Sequence, residues 1–291
     1  MMHIIIPIKQ VPETSKVKMD PETGTMIREG VESIVNPLDL YAIETAIQLA
    51  ESHGTTTVLS MGPAKAEEAL REAVAMGCNN GVLLSHRAFA GSDTWATSYA
   101  LSKAIARIGA YDLILCGERA TDGDTGQVGP GIAAWLDIPV ATYVSAILEW
   151  RGGSVVVKRL VEDGYETLEI QTPCLLTVVK EIAYPRMPTL RGKQRARKVA
   201  IPVWGPDEIG AAPDSIGLKS SPTRVVKIES PRVARDGEIR APKDPADLEK
   251  AVDGIVAYLE KLDLLDRENP STASSGPSGA KARKTKTDGK E

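Results

Sequence analysis

The feature that most constrains this chain is an alternation of short apolar runs with longer segments of helical periodicity, sustained up to residue 136. HIIIPI (3–8), TTTVLSM (55–61), GVLLS (81–85) and YDLILC (111–116) read as strands, short and rich in aliphatic residues as buried parallel strands are. Between and after them lie the helix candidates NPLDLYAIETAIQLAESHG (36–54), GPAKAEEALREAVAMG (62–77), DTWATSYALSKAIARIG (93–109) and GIAAWL (131–136). Asn36 is expected to cap the first of these, with Pro37 at the first helical position and Asp39 facing the positive end of the dipole. Asp93 is the expected cap of the third. Strands that alternate with helices imply right-handed crossovers and a sheet covered on both faces. The expected fold class is α/β, a Rossmann-like doubly wound and mainly parallel sheet.

From about residue 138 the pattern changes. IPVATYVSAILEW, GSVVVKRLV, YETLEIQ and PCLLTVVKE are β-rich, and Asp163-Gly164 suits a hairpin turn. They predict an antiparallel extension of the same sheet, closing a nucleotide-binding domain over 1–183. A polar stretch over 9–30 suits a small hairpin around DPETGT. Residues 184–200 are expected to form a basic loop, 201–265 a C-terminal arm with one helix over 244–262, and 266–291 a disordered tail without apolar content.

Composition excludes several classes. A net charge of −4 offers no footprint for nucleic acid. Three dispersed cysteines form no metal or disulfide framework, which suits a reducing cytoplasm. No run approaches the roughly 18 apolar residues of a membrane span, so membrane insertion is not expected.

In a doubly wound sheet, ligands bind at the carboxyl ends of the strands. The stretch GERATDGDTGQVGP (117–130) follows such a strand and opens a helix. Its glycines and the helix N-terminus can hold phosphate on backbone N–H groups without a lysine, while its carboxylates can accept from ribose hydroxyls. A plain Asp-Gly turn with solvated acids is the competing reading. Calcium is excluded, because Gly126 stands at the fifth position of an EF-hand-like register and Ala133 where a bidentate Glu belongs. Neither GxxxxGK[ST] nor GxGxxG is present. FAGSDT (89–94) resembles the phosphate loop of ATP-pyrophosphatase enzymes, yet follows the third strand and not the first. No nucleophile–base pair is evident, and the three histidines lie apart, so no catalytic residue is assigned.

Several segments in order resemble the beta subunit of electron transfer flavoproteins: IKQVPE (8–13), NPLDLYAIE (36–44), VLSMGPAKAEEALREAVAMG (58–77), CGERATDGDTGQVGP (116–130) and PCLLTVVKEIAYPRMPTLRGKQRARK (173–198). The resemblance implies a heterodimer whose alpha subunit holds the redox FAD, with an adenine nucleotide in the beta subunit. The implied pocket is Pro7, Asn36, Pro37, Leu38, Asp39, Met61, Gly117, Glu118, Arg119, Ala120, Thr121, Asp122, Gly123, Asp124, Thr125, Gly126, Gln127 and Val128. RAFAGSDTWATS (87–98) and DGDTGQVGP resemble the electron-bifurcating and nitrogen-fixation-associated subgroup, in which FAD replaces the structural AMP and NADH donates electrons. Asp93, Thr94 and Thr97 would then reach the longer pyrophosphate. Leu190, flanked by Arg191, Arg195, Arg197 and Lys198, would anchor the docking of an acyl-CoA dehydrogenase or a quinone-reducing flavoenzyme, and the C-terminal arm would wrap the alpha subunit. Two positions depart from the subgroup pattern: Glu118-Arg119, where a basic residue and Gln are usual, and Ala183-Tyr184, where Asn-Glu commonly precedes Pro-Arg. A stand-alone ATP-binding or adenylating α/β protein, and a purely structural nucleotide-sensing partner, are the alternatives from other classes.

Overall fold

The computed structural model describes residues 2–13, 18–19, 26–27, 32–51, 54–224, 239–262 and 264. The chain divides into two compact units, Met1–Glu229 and Ser230–Glu291.

The first unit opens with β1 (His3–Pro7), then the short strands β2 (Gln10–Pro12), β3 (Lys18–Met19), β4 (Met26–Ile27) and β5 (Ser33–Val35). β2 pairs antiparallel with β5 and β3 with β4, while the expected DPETGT turn lies outside the described residues. The alternation follows as α1 (Asp39–Ala50), β6 (Thr55–Met61), α2 (Glu67–Met76), β7 (Asn80–Leu84), α3 (Thr94–Ile108), β8 (Leu113–Gly117) and α4 (Val128–Leu136). Then come β9 (Val140–Arg151), β10 (Ser154–Val161), β11 (Gly164–Gln171), β12 (Cys174–Val178), the short helix α5 (Leu190–Ala196), β13 (Val203–Trp204) and a single turn, α6 (Gly217–Ser220).

One nine-stranded sheet carries the unit, in the order β11-β10-β9-β12-β8-β1-β6-β7-β13. Pairing is parallel from β13 to β9 and antiparallel through β9, β10 and β11. The expected α/β class and its antiparallel extension are therefore observed. The β10–β11 hairpin turns on Glu162 and Asp163, with Gly164 already paired to Val161.

β1 shows why its sequence reads as an unbroken apolar run. Ile4 and Ile6 pack beneath α1 and α2, and Ile5 packs beneath α3 and α4, all with no solvent exposure. Each such side chain contributes about 1.5–3 kcal/mol of burial. From β1 the chain winds through α1 and α2 to β6 and β7, then returns through α3 to β8 on the other flank of β1. The winding direction thus reverses between β1 and β8, and helices on opposite faces leave a crevice above those strand ends.

Two local readings differ from the sequence. α1 starts at Asp39 with Leu38 at its N-cap and no side-chain cap bond, so Asn36 does not cap it. The basic stretch contains the helix α5, capped by the Thr189 hydroxyl, which accepts from Gly192 N. Asp93 caps α3 as expected, accepting from Ala96 N at 3.1 Å. In the second unit α7 (Pro245–Lys261) is capped by Asp244, which accepts from Asp247 N at 2.8 Å. The expected tail over 266–291 lies outside the described residues. Among the described residues no helix is long and apolar enough to cross a membrane.

Candidate functional site

A cavity of about 470 Å³ opens at the reversal point, above the ends of β1, β6 and β8. Its floor is apolar, formed by Pro7, Ile8, Met61, Leu101 and Cys116. One wall is the β8–α4 loop, with Gly117 to Ala120 and Gly123 to Val128, continuing into Gly129 of α4. The other is the start of α3, with Ser92, Asp93, Thr94 and Thr97.

The loop is shaped by left-handed residues. Asp124 sits at φ 54° and Gly126 at φ 62°, either side of Thr125. Alternating backbone hand makes a concave run of N–H groups, the geometry of an anion nest. Among the described residues, the amides of Thr125, Gly126, Gln127 and Val128 meet no protein acceptor. They adjoin the positive end of α4.

The acids of the loop do not oppose an anion, because basic groups hold them. Lys9, leaving β1, pairs with Asp122 at 2.7 Å. Arg119 pairs with Asp124 at 3.0 Å and with Glu118 at 3.6 Å. Apart from Glu118 these groups are substantially solvent-facing, so the Lys9–Asp122 and Arg119–Asp124 pairs each stabilise by only about 0–1 kcal/mol. Their consequence is electrostatic, since the loop presents bare amides beside three acids whose charge two cations partly offset.

Asn36 and Asp39 brace the loop from below. The Asn36 side chain donates to Arg119 O at 2.9 Å and accepts from Thr121 N at 3.2 Å. This use explains its absence from the helix cap. Asp39 is buried and accepts from Lys9 N at 2.7 Å. Burial pushes its carboxyl up to about 7, against hydrogen bonds from Lys9, Asn36 and Gly117. A Cβ at Gly117 would overlap that carboxylate and lie 2.8 Å from the Leu38 carbonyl carbon. Only glycine lets β8 and the start of α1 approach this closely.

On the α3 side, Thr94 Oγ1 donates to Gln127 Oε1 at 2.9 Å, tying the two helix starts together. The Asp93 amide donates to Ser221 Oγ, and its carboxylate accepts from Thr223 N and Thr223 Oγ1 as well as Ala96 N. Burial opposes ionisation of Asp93, but the hydrogen bonds from Ala96 and Thr223 outweigh it and hold the carboxyl below its ordinary range. Thr97 therefore remains as the hydroxyl donor on that wall, since the Thr94 proton is committed to Gln127.

This donor set fits an adenine nucleotide. Free amides and threonine hydroxyls suit phosphate oxygens, carboxylate oxygens suit ribose hydroxyls, and the apolar floor suits a base or ring. Residues 23–209 match the electron transfer flavoprotein domain. Over 266 residues the chain is 48% identical to the electron transfer flavoprotein subunit beta of Thermoanaerobacterium thermosaccharolyticum, covering 91% of this chain and all of that one.

The chain belongs to the electron transfer flavoprotein beta-subunit family.

Within that family it is 47% identical to the caffeyl-CoA reductase–Etf complex subunit CarD of Acetobacterium woodii, over 82% of this chain and 91% of the relative. It is 42% identical to the protein FixA of Sinorhizobium fredii, over 79% and 84%. Of the residues expected at the family's nucleotide pocket, the cavity gathers Pro7, Asp39, Met61, Asp93, Thr94, Thr97 and most of 117–128. Asn36, Leu38, Thr121 and Asp122 stand behind the wall, and Pro37 precedes α1.

Lys9, Ile8, Ser92, Leu101, Cys116 and Gly129 line the cavity without having been singled out. Lys9 was findable, since it immediately follows the strand beside the reversal point. Among the described residues no cluster of His, Cys, Asp or Glu could hold a metal ion. The basic segment lies elsewhere. Leu190 is 81% exposed beside exposed Arg191, Arg195, Arg197 and Lys198, and the Arg195 guanidinium also donates to Val74 O and Cys78 O at the end of α2.

Proposed function

We propose that this beta subunit binds FAD in the cavity and pairs with an alpha subunit that carries a second FAD. Electrons would enter from NADH and be exchanged, by way of the alpha-subunit flavin, with a partner flavoenzyme such as an acyl-CoA dehydrogenase or a quinone-reducing flavoenzyme. The bound flavin supplies the redox chemistry; the chain binds, orients and shields it. The observation that carries this reading is the junction of two helix starts across one cavity. Thr94 of α3 meets Gln127 ahead of α4, so the free amides of residues 125–128 and the Thr97 hydroxyl face one cavity. The cavity volume falls within the roughly 300–1,000 Å³ of small-molecule sites.

Within it, the amides of Thr125 to Val128 would hold phosphate. Asp39 and Glu118 would accept from ribose hydroxyls. Met61, Leu101 and Cys116 would exclude water from the buried side. Structural AMP is the second reading, favoured by the engagement of both Asp93 groups within the chain, which leaves α3 fewer donors.

Two surfaces support the partners. α7 has no buried residue, and Leu248, Val252, Ile255 and Leu262 recur at helical spacing as an exposed apolar stripe suited to an alpha subunit. Tyr184, Met187 and Leu190 are each more than 80% exposed amid basic residues, as a docking segment for a flavoenzyme requires. The name of the Acetobacterium woodii relative, which couples such a subunit to a CoA-ester reductase, is in keeping with that role.

Anaerobic addition of NADH to the purified heterodimer tests the reading. Bleaching of flavin absorbance by NADH is expected. A heterodimer that NADH leaves fully oxidised overturns the NADH-accepting form and favours the AMP-bearing carrier.

A further inference from the structure

We propose that Tyr143 is a positioning residue of the nucleotide loop, held in a left-handed backbone so that its phenol closes on Gly126. The inference rests on the reading of the cavity as a nucleotide site.

Tyr143 lies in β9 at φ 57°, a genuine outlier for a bulky aromatic residue. β9 loses register on both sides there. Against β12, Ala141 pairs with Leu176 and Val144 with Val178, so Thr142 and Tyr143 together face Thr177. Against β10, Ala146 pairs with Lys158 and Val144 with Arg159, which leaves Ser145 as an extra residue. Bulges of this kind re-aim side chains beside functional sites. A residue whose task was only to extend the sheet would be more stable in the ordinary extended conformation.

Tyr143 touches the loop at one point, and its β12 neighbours Thr177 and Val178 meet the two ends of the loop. The Tyr143 amide donates to Thr177 Oγ1 at 3.1 Å. The Thr177 methyl lies 2.7 Å from where a Cβ on Gly129 would stand, against the first turn of α4. The Tyr143 hydroxyl lies 3.9 Å from the corresponding point on Gly126. The next residue of β12, Val178, accepts from Glu118 N at 3.1 Å through its carbonyl. The start, turn and exit of the loop therefore rest on one irregular place in the sheet. Tyr143 does not line the cavity, so its influence passes through the amides after Gly126. Among the described residues its hydroxyl makes no hydrogen bond, so the phenol bears on Gly126 by van der Waals contact at its tip.

The test compares Tyr143→Phe, which keeps the ring, with Tyr143→Asn, which accepts left-handed backbone but removes the ring. The full chain in its heterodimer, stripped of copurified nucleotide, is titrated with FAD and with AMP. Tyr143→Phe, which loses only the tip oxygen, is expected to bind between the other two proteins, and Tyr143→Asn roughly ten-fold more weakly than the unaltered one, at a thermal midpoint within a few degrees. Hydrogen exchange without ligand is expected to quicken at 124–129 in Tyr143→Asn and nowhere else. Equal affinities in all three proteins overturn the proposal, as does a Tyr143→Asn protein that loosens throughout. If the unaltered protein binds neither nucleotide, the reading of the cavity fails. Local exchange then decides alone, and unchanged protection at 124–129 overturns the role of Tyr143.

Discussion

Asp39 is placed where a carboxylate is least comfortable, beneath the end of β8 and the first turn of α1. Its folded pKa of about 7 lies above the ordinary 3.8, chiefly through burial. Between those values the folded chain binds more protons than the unfolded one. Stability therefore falls as pH rises from about 4 to about 7, by at most about 1.4 kcal/mol per unit from this group. Asp39→Asn is expected to flatten that part of the curve in denaturant titrations, and an unchanged slope would show that the charge is not buried. At this scale the sequence was half legible. NPLD showed Asp39 as a helix-start acid, and the Asp93 cap was read correctly, because both signals are local. The Asn36 bonds to Arg119 and Thr121 and the Lys9–Asp122 pair span 83 to 113 positions, and no spacing rule announces them.

Among the elements, α1 supports two distant parts of the chain. Its first turn braces the β8–α4 loop, and its second turn carries Glu44, 3% exposed, into a paired bond with Arg186 at 2.8 Å. Burial alone would raise the Glu44 carboxyl, but hydrogen bonds from Arg186 and Gln48 outweigh it and hold it low. The pair's contribution is thus present above the ordinary carboxylate range and is lost as pH falls through the depressed value. Arg186→Ala leaves that carboxylate buried and unpaired. A loss of about 2–3 kcal/mol is expected, less than for a fully buried pair because Arg186 is partly exposed. Thermal melts at neutral and acidic pH check it, and the deficit is expected to shrink in acid. α5 was read as a loop for a physical reason. It is too short for a helical stripe, and its stability is tertiary: Arg195 fastens to the end of α2, and Gly192 permits contact with the Ala75 carbonyl. The alternation of strands and longer helices was legible because periodicity over many residues outweighs any single misplaced cap.

For the whole molecule, the boundary between the units follows residue 229, and the sheet, its two apolar layers and the cavity all belong to the first. The edge strand β13 and the Ser221 and Thr223 contacts to Asp93 belong there too. A chain ending at 229 is expected to fold, melt cooperatively and bind nucleotide, yet associate weakly with the alpha subunit because α7 is gone. Size-exclusion chromatography of the mixed subunits checks this, and full association by the shortened chain would remove α7 from the interface. What the cavity holds is decided by denaturing the purified heterodimer and quantifying the FAD and AMP released. Two FAD and no AMP per heterodimer are expected; one FAD with one AMP would put a structural nucleotide in the cavity and rule out the second flavin.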